Sequence, residues 1–149
     1  MIRAPWRQAL ALLPFLFLAG AHAQPVPDAA ALLKRAGADG LAAEVVREQR
    51  PALMRLLRDQ LATPEEAATI TDLLLIPKLR ARLPELDARL MAAASQAAQA
   101  AHGRPVAVPA LRARLRREAR AWGQDAGQQV FMRWVVLPRF GVAPEGAQP

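Results

Sequence analysis

The chain has 149 residues, a formal net charge of +7 and no cysteine. That length suits one domain with a modest core, and the lack of cysteine excludes disulfides, thiol chemistry and a Cys-ligated zinc site. Alanine occurs 34 times and arginine 18 times against two lysines, tyrosine and asparagine are missing, and Ser95 is the sole serine. A mixture so rich in Ala, Leu and Arg favours helix over strand, and the expected fold class is all-α, a small bundle of five to seven short helices.

Residues 1–23 have the layout of a cleavable secretory signal. Arg3 and Arg7 make a positive start, Ala9 to Leu18 form an apolar run broken only by Pro14, and Ala21-His22-Ala23 offers the small-x-small pattern a signal peptidase accepts. The run is about half the roughly 20 residues a membrane-spanning helix needs. Cleavage after Ala23 removes 23 of the 149 residues and leaves a mature chain of 126 beginning at Gln24, expected in the periplasm or outside a bacterial cell.

In chain order, a Pro-rich lead to Pro27 is followed by Asp28, which can cap a helix to Ala36 with Gly37 as its left-handed stop. Asp39 can start the next helix, with Leu41, Val45 and Val46 on one face; Pro51 either breaks or kinks it or opens a new one. Leu53, Met54, Leu56, Leu57 and Leu61 carry the apolar stripe onward, with Arg47, Arg50, Arg55 and Arg58 alternating against it. Thr63-Pro64-Glu65-Glu66 is a capping box with proline at the first helical position. It predicts a helix that buries Ile70, Leu73 and Leu74 and ends or bends before Pro77. Leu79, Leu83, Leu86, Leu90, Ala93, Ala97 and Ala100 then keep heptad spacing. Pro84 marks a kink or the true start of that helix, Gly103 its end, and an intramolecular antiparallel pair, hence a monomer, is favoured over a dimeric coiled coil.

Residues 103–109 read as a linker and 109–122 as a basic helix with Leu111, Leu115, Ala119 and Trp122 on one face. Gly123 and Gly127 should loosen the chain before a last helix from Gln128 to Leu137, which Pro138 stops. The helical domain thus spans 24–140, and the Gly/Pro/Ala-rich tail 141–149 is expected to be disordered.

No catalytic constellation stands out. After removal of His22 the remaining histidine is His102, set at a helix end where it can meet terminal carbonyls, and Ser95 lacks a nucleophile elbow. One His and no Cys cannot build a zinc site, no EF-hand loop or Gly-rich phosphate loop is present, and no cofactor is implied. Glu65/Glu66 and Glu85/Asp87 are paired carboxylates of the kind glycoside hydrolysis uses, but capping and neighbouring Arg or Lys account for them. The reading is therefore of a binding protein, not an enzyme.

Charge supplies the one distinctive surface. Gln24 to His102 holds ten basic and ten acidic residues, whereas Gly103 to Pro149 holds eight and three, so the mature chain's excess of +5 lies in its last third. Arg112, Arg114, Arg116, Arg117 and Arg120 beside Trp122 are the candidate contacts for an anionic surface. Export argues against nucleic acid; anionic lipid, lipopolysaccharide phosphate or an acidic protein surface fits the compartment better. The stretch from Thr63 to Ala101, through its Thr-Pro-Glu-Glu cap, Ile76-Pro77, Arg80 or Arg82 and Pro84-Glu85-Leu86, resembles a domain of unknown function in small secreted proteins of Gram-negative bacteria. It departs in having Leu74-Leu75 for the usual aromatic pair and no glycine after the first proline. The resemblance implies an exported helical module. The functional expectation is an envelope adaptor or chaperone-like protein with a protein partner; the alternative is a peripheral binder of anionic membrane or lipopolysaccharide through residues 109–122.

Overall fold

A computed structural model describes residues 28–60 and 62–143. The expected signal peptide, its cleavage site, the Pro-rich lead and most of the tail lie outside the described residues. Those that are described are all-helical, with five helices and no strand.

Helix α1 (Ala29–Ala36) is capped by the Asp28 carboxylate, which accepts from the Ala30 N–H at 3.1 Å, and stops at Gly37 in the left-handed region. A 3-10 turn, Ala38–Gly40, leads into α2 (Leu41–Asp59), which continues through Pro51 without a break. The capping box forms as expected: the Glu66 N–H donates to Thr63 Oγ1 at 3.2 Å, and the Thr63 N–H donates to Glu66 Oε2 at 2.9 Å.

The helix opened by this box does not end before Pro77. Pro64–Ile70, a π turn Thr71–Leu75 and Ile76–Arg80 run on as α3, residues 64–80. A proline ring in an α-helix collides with the carbonyl four residues back. Widening the preceding turn, so that the Ile76 N–H reaches the Thr71 carbonyl five residues back, relieves that collision. The wider turn also rotates the face presented to the core. Ala67, Thr71, Leu75 and Leu79 are buried, Ile70 and Leu74 are only half-buried, and Leu73, expected inside, is 76 % exposed.

Helix α4 (Leu83–Ala100) starts at Pro84, which sits in its first turn. The heptad seam holds through Leu86, Leu90 and Ala93 but then drifts to Ala94 and Ala98, leaving Ala97 half-buried and Ala100 exposed. A straight 3.6-residue helix drifts in this sense from a 3.5-residue repeat. His102 and Gly103 turn the chain with positive φ, and Arg104 Nε, not the histidine ring, donates to a carbonyl at this helix end, that of Ala101.

The expected break at Gly123 and Gly127 is absent. Val108–Phe131, a second π turn Met132–Val136 and Leu137–Arg139 form one helix, α5, residues 108–139. Pro138 does not stop it, because the Leu137 N–H reaches back to Met132 in the same way as Ile76 to Thr71. Closure comes after Pro138, where Gly141 is left-handed and the N–H groups of Gly141 and Val142 reach the carbonyls of Pro138 and Leu137. The glycines face α2. A Cβ at Gly123 would lie 2.6 Å from Val45 Cγ1, and one at Gly127 2.8 Å from Gln49 Oε1. They serve close helix approach, which a chain-local reading cannot tell from flexibility.

α5 is the axis of the molecule. Contacts of Val45 and Gln49 with Gly123, and of Gln60 with Arg139, show α2 running parallel to it. Contacts of Gln96 with Arg114 and of Lys78 with Trp134 show α3 and α4 running the other way. α4 thus pairs with α5 within one chain, the arrangement favoured for the heptad run. Trp122, completely buried, lies in the core with Leu53, Leu57, Leu75, Leu79, Leu86 and Leu115. No helix among the described residues is long and apolar enough to cross a membrane.

Candidate ligand groove and basic face

The five arginines proposed as an anionic contact surface lie along the first half of α5, but the bundle already uses most of them. Arg112 Nε donates to the Ala36 carbonyl at 3.0 Å, capping the free C-terminal end of α1. Arg114 donates to Gln96 Oε1 on α4. Arg120 lies 3.7 Å from Glu48 on α2, and Arg116 and Arg120 border a narrow crevice with Glu44 and Glu48. Arg117 is exposed. The apolar side of the same helix faces inward: Leu111, Leu115 and Trp122 are 3 %, 1 % and 0 % exposed. Trp122 is therefore withdrawn from the candidate contact set, and this helix cannot lay that face into a bilayer while the bundle is intact. Residues of α1, α2 and α4 thus answer a charge run that looks unopposed along the chain.

Several carboxylates are held by structural partners, and Glu65 and Glu66 share one groove. Glu66 closes the capping box, and the Thr63 backbone N–H, followed by its hydroxyl, holds the Glu66 carboxyl below its ordinary range. Asp72 takes a bidentate pair of hydrogen bonds from Arg50, at 2.8 and 2.7 Å, which lowers its pKa. Glu85 takes a similar pair from Arg82, at 2.9 and 2.7 Å; these bonds, with a smaller contribution from Trp122, hold its pKa down. The Trp122 indole N–H is buried and makes no hydrogen bond of ordinary geometry, so its influence on Glu85 is secondary to that of Arg82. The three carboxylates line three different grooves. Among the described residues, no group of three or more His, Cys, Asp or Glu side chains could hold a metal ion.

A more ligand-like feature lies between α2 and α3. These helices form a hairpin that meets again at the Arg50–Asp72 pair. Beside that clamp runs an open groove of about 660 Å³, within the ~300–1,000 Å³ usual for small-molecule sites. Its apolar lining is Ala42, Ala43, Val46, Ile76 and Leu83; its charged lining is Arg47, Arg50 and Arg80 with Asp39 and Asp72. The clamp neutralises Arg50, whereas Arg47 and Arg80 are exposed and make no ion pair with another described residue. Along the chain Arg47 and Arg50 alternate with the apolar stripe of α2, and Arg80 is one of several basic residues near Pro77. The pairing is hidden in the sequence because its two walls lie about thirty residues apart in the chain and become neighbours only when α3 folds back against α2. The one local hint was Ile76-Pro77, since the widened turn before that proline helps to set which side of α3 faces α2.

A second groove, about 420 Å³, is lined by Lys78, Arg82, Glu85 and Trp134 among others, with Lys78 Nζ 3.9 Å above the Trp134 ring. Its charges are largely satisfied within the wall: Arg82 by Glu85 and Lys78 by the ring face. The chain matches no family model, no curated protein and no solved structure.

Proposed function

We propose that this protein is an exported helical binding protein of the bacterial envelope that works by holding a partner or ligand, without catalysing a reaction. The observation that carries this reading is the α2–α3 groove, where two uncommitted guanidinium groups flank an apolar floor, the usual make-up of a recognition site. Support for export comes from the three-part signal pattern in residues 1–23, with its small-x-small motif ending at Ala23. The engagement of Glu66 in the capping box, of Asp72 by Arg50 and of Glu85 by Arg82 supports binding over two-carboxylate hydrolysis, since each of these carboxylates already has a structural partner.

Export is tested by fractionating cells that express the full chain and sequencing the N-terminus of the processed form. A periplasmic product beginning at Gln24 is expected; an unprocessed cytoplasmic product would remove this placement. Binding is tested by covalent capture with a photo-crosslinker at exposed Ala43 in the intact envelope. Adducts that disappear when the Arg47→Gln/Arg80→Gln variant carries the same crosslinker are expected, and adducts indifferent to it would exclude the groove.

A further inference from the structure

Resting on the binding-protein reading, we infer that the α2–α3 groove takes a single amphiphilic anion: one carboxylate or phosphate monoester head bearing an apolar chain, bound as a monomer. The head would lie between Arg47 and Arg80, and the chain along Val46, Ile76 and Leu83.

Three observations on this groove support that class. First, its charges are unequal in availability. Arg50 and Asp72 neutralise one another through two short hydrogen bonds, so they form a fixed end wall. Arg47 and Arg80 stand on opposite walls with no ion-pair partner among the described residues. Two guanidinium groups lining one groove suit a planar or tetrahedral oxyanion, to which each can donate two charge-assisted hydrogen bonds. Second, the floor is apolar, Ala42 and Ala43 beside Val46, Ile76 and Leu83, so an aliphatic chain lying there removes apolar surface from water. Third, Asp39 borders the groove as well, beside the start of α2. A second carboxylate further along the ligand would meet it unfavourably, whereas a single head beside Arg47 and Arg80 would not. The predicted basic face of α5 has no comparable space: its arginines answer Glu48 and the α1 terminus, and its apolar side is buried.

The test is isothermal titration of the purified processed protein with sodium dodecanoate and dodecyl phosphate below their micelle concentrations. Dodecyl maltoside, dodecyltrimethylammonium, acetate and inorganic phosphate are the control ligands. Saturable binding near one equivalent is expected for the two anionic amphiphiles alone. Arg47→Gln/Arg80→Gln should weaken it by at least about tenfold, the loss of a charge-assisted contact being of that order. Ala43→Trp, at an exposed position, should block the groove while leaving the helical circular dichroism and melting temperature intact. Arg116→Gln/Arg117→Gln on α5 should bind as wild type does. Equal binding of the neutral or cationic amphiphile, or unchanged binding in the Arg47/Arg80 variant, would overturn the assignment. So would retention on phosphatidylglycerol vesicles without binding of monomeric dodecyl phosphate. If no amphiphile binds but Ala43 crosslinks to a protein in the envelope, the ligand class is wrong and the binding-protein reading stands.

Discussion

Gly123 and Gly127 stand one helical turn apart on the side of α5 that meets α2, yet they differ in what a methyl group would strike. At Gly123 the obstacle is Val45, a 2 % exposed core residue with nowhere to go. Overpacking there costs about 1–3 kcal/mol, more than the ~1 kcal/mol of helix propensity that alanine adds. Gly123→Ala should therefore lower stability in urea titration by up to about 2 kcal/mol, and a variant more stable than wild type would mean that α2 can move away from α5 at no cost. At Gly127 the obstacle is the end of the half-buried Gln49 side chain, which can swing away. Gly127→Ala should be neutral or stabilising by up to ~1 kcal/mol.

Among elements, α2 carries an internal proline without a widened turn. Pro51 lacks the N–H that would bond to the Arg47 carbonyl, and proline in a helix interior costs about 3 kcal/mol relative to alanine. Part of that is offset because proline restricts the unfolded chain, by roughly 0.4–1 kcal/mol. Pro51→Ala should accordingly raise stability by about 2 kcal/mol, read as a higher denaturant midpoint at unchanged slope; a lower midpoint would show that α2 is not continuous there. Among the described residues, α1 has one long-range polar tie, the Arg112 hydrogen bond to Ala36, besides its apolar contacts. Arg112→Ala should cost about 1 kcal/mol and speed hydrogen exchange in α1 while leaving α3 unchanged; uniform acceleration across all helices would refute a local role. Helix starts were the most legible elements in the sequence, because Asp28 and the Thr63/Glu66 box act within four residues. Helix ends at Pro77, Gly123 and Pro138 were not, because what lets the chain continue is a π turn or a neighbouring helix.

Over the whole molecule, electrostatics is a matter of complementing surfaces. The net charge of the last third was legible by counting, and its location on one helix by periodicity. That Glu44 and Glu48 sit beside Arg116 and Arg120 was not, since the pairing needs α2 and α5 to lie parallel. The candidate groove was even less legible, being made from two arginines that no local motif connects. The three carboxylates set below their ordinary range, Glu66 by the Thr63 backbone, Asp72 by Arg50 and Glu85 by Arg82, give stability a defined pH dependence. Their folded pKa values lie below the unfolded ones, so the contribution is complete above the ordinary carboxylate range and is lost as pH falls through the depressed folded values. Melting temperature should hold from pH 7 down to the ordinary carboxylate range and fall below it. Asp72→Asn/Glu85→Gln should flatten that acid limb, and added salt should reduce the difference because these groups are at or near the surface. Parallel acid limbs for variant and wild type would contradict the pairing.

The two π turns have a consequence for chain length. Each holds one residue more than an α-turn would, and in α3 the 76 % exposed Leu73 lies inside that turn. Deleting Leu73 should let 64–80 close as a regular α-helix, but it would bring the Pro77 ring back against a carbonyl. The deletion is expected to unfold at lower temperature than wild type, and adding Pro77→Ala should restore much of the loss. The proline and the surplus residue would then be a coupled pair, each tolerable only while the other is present.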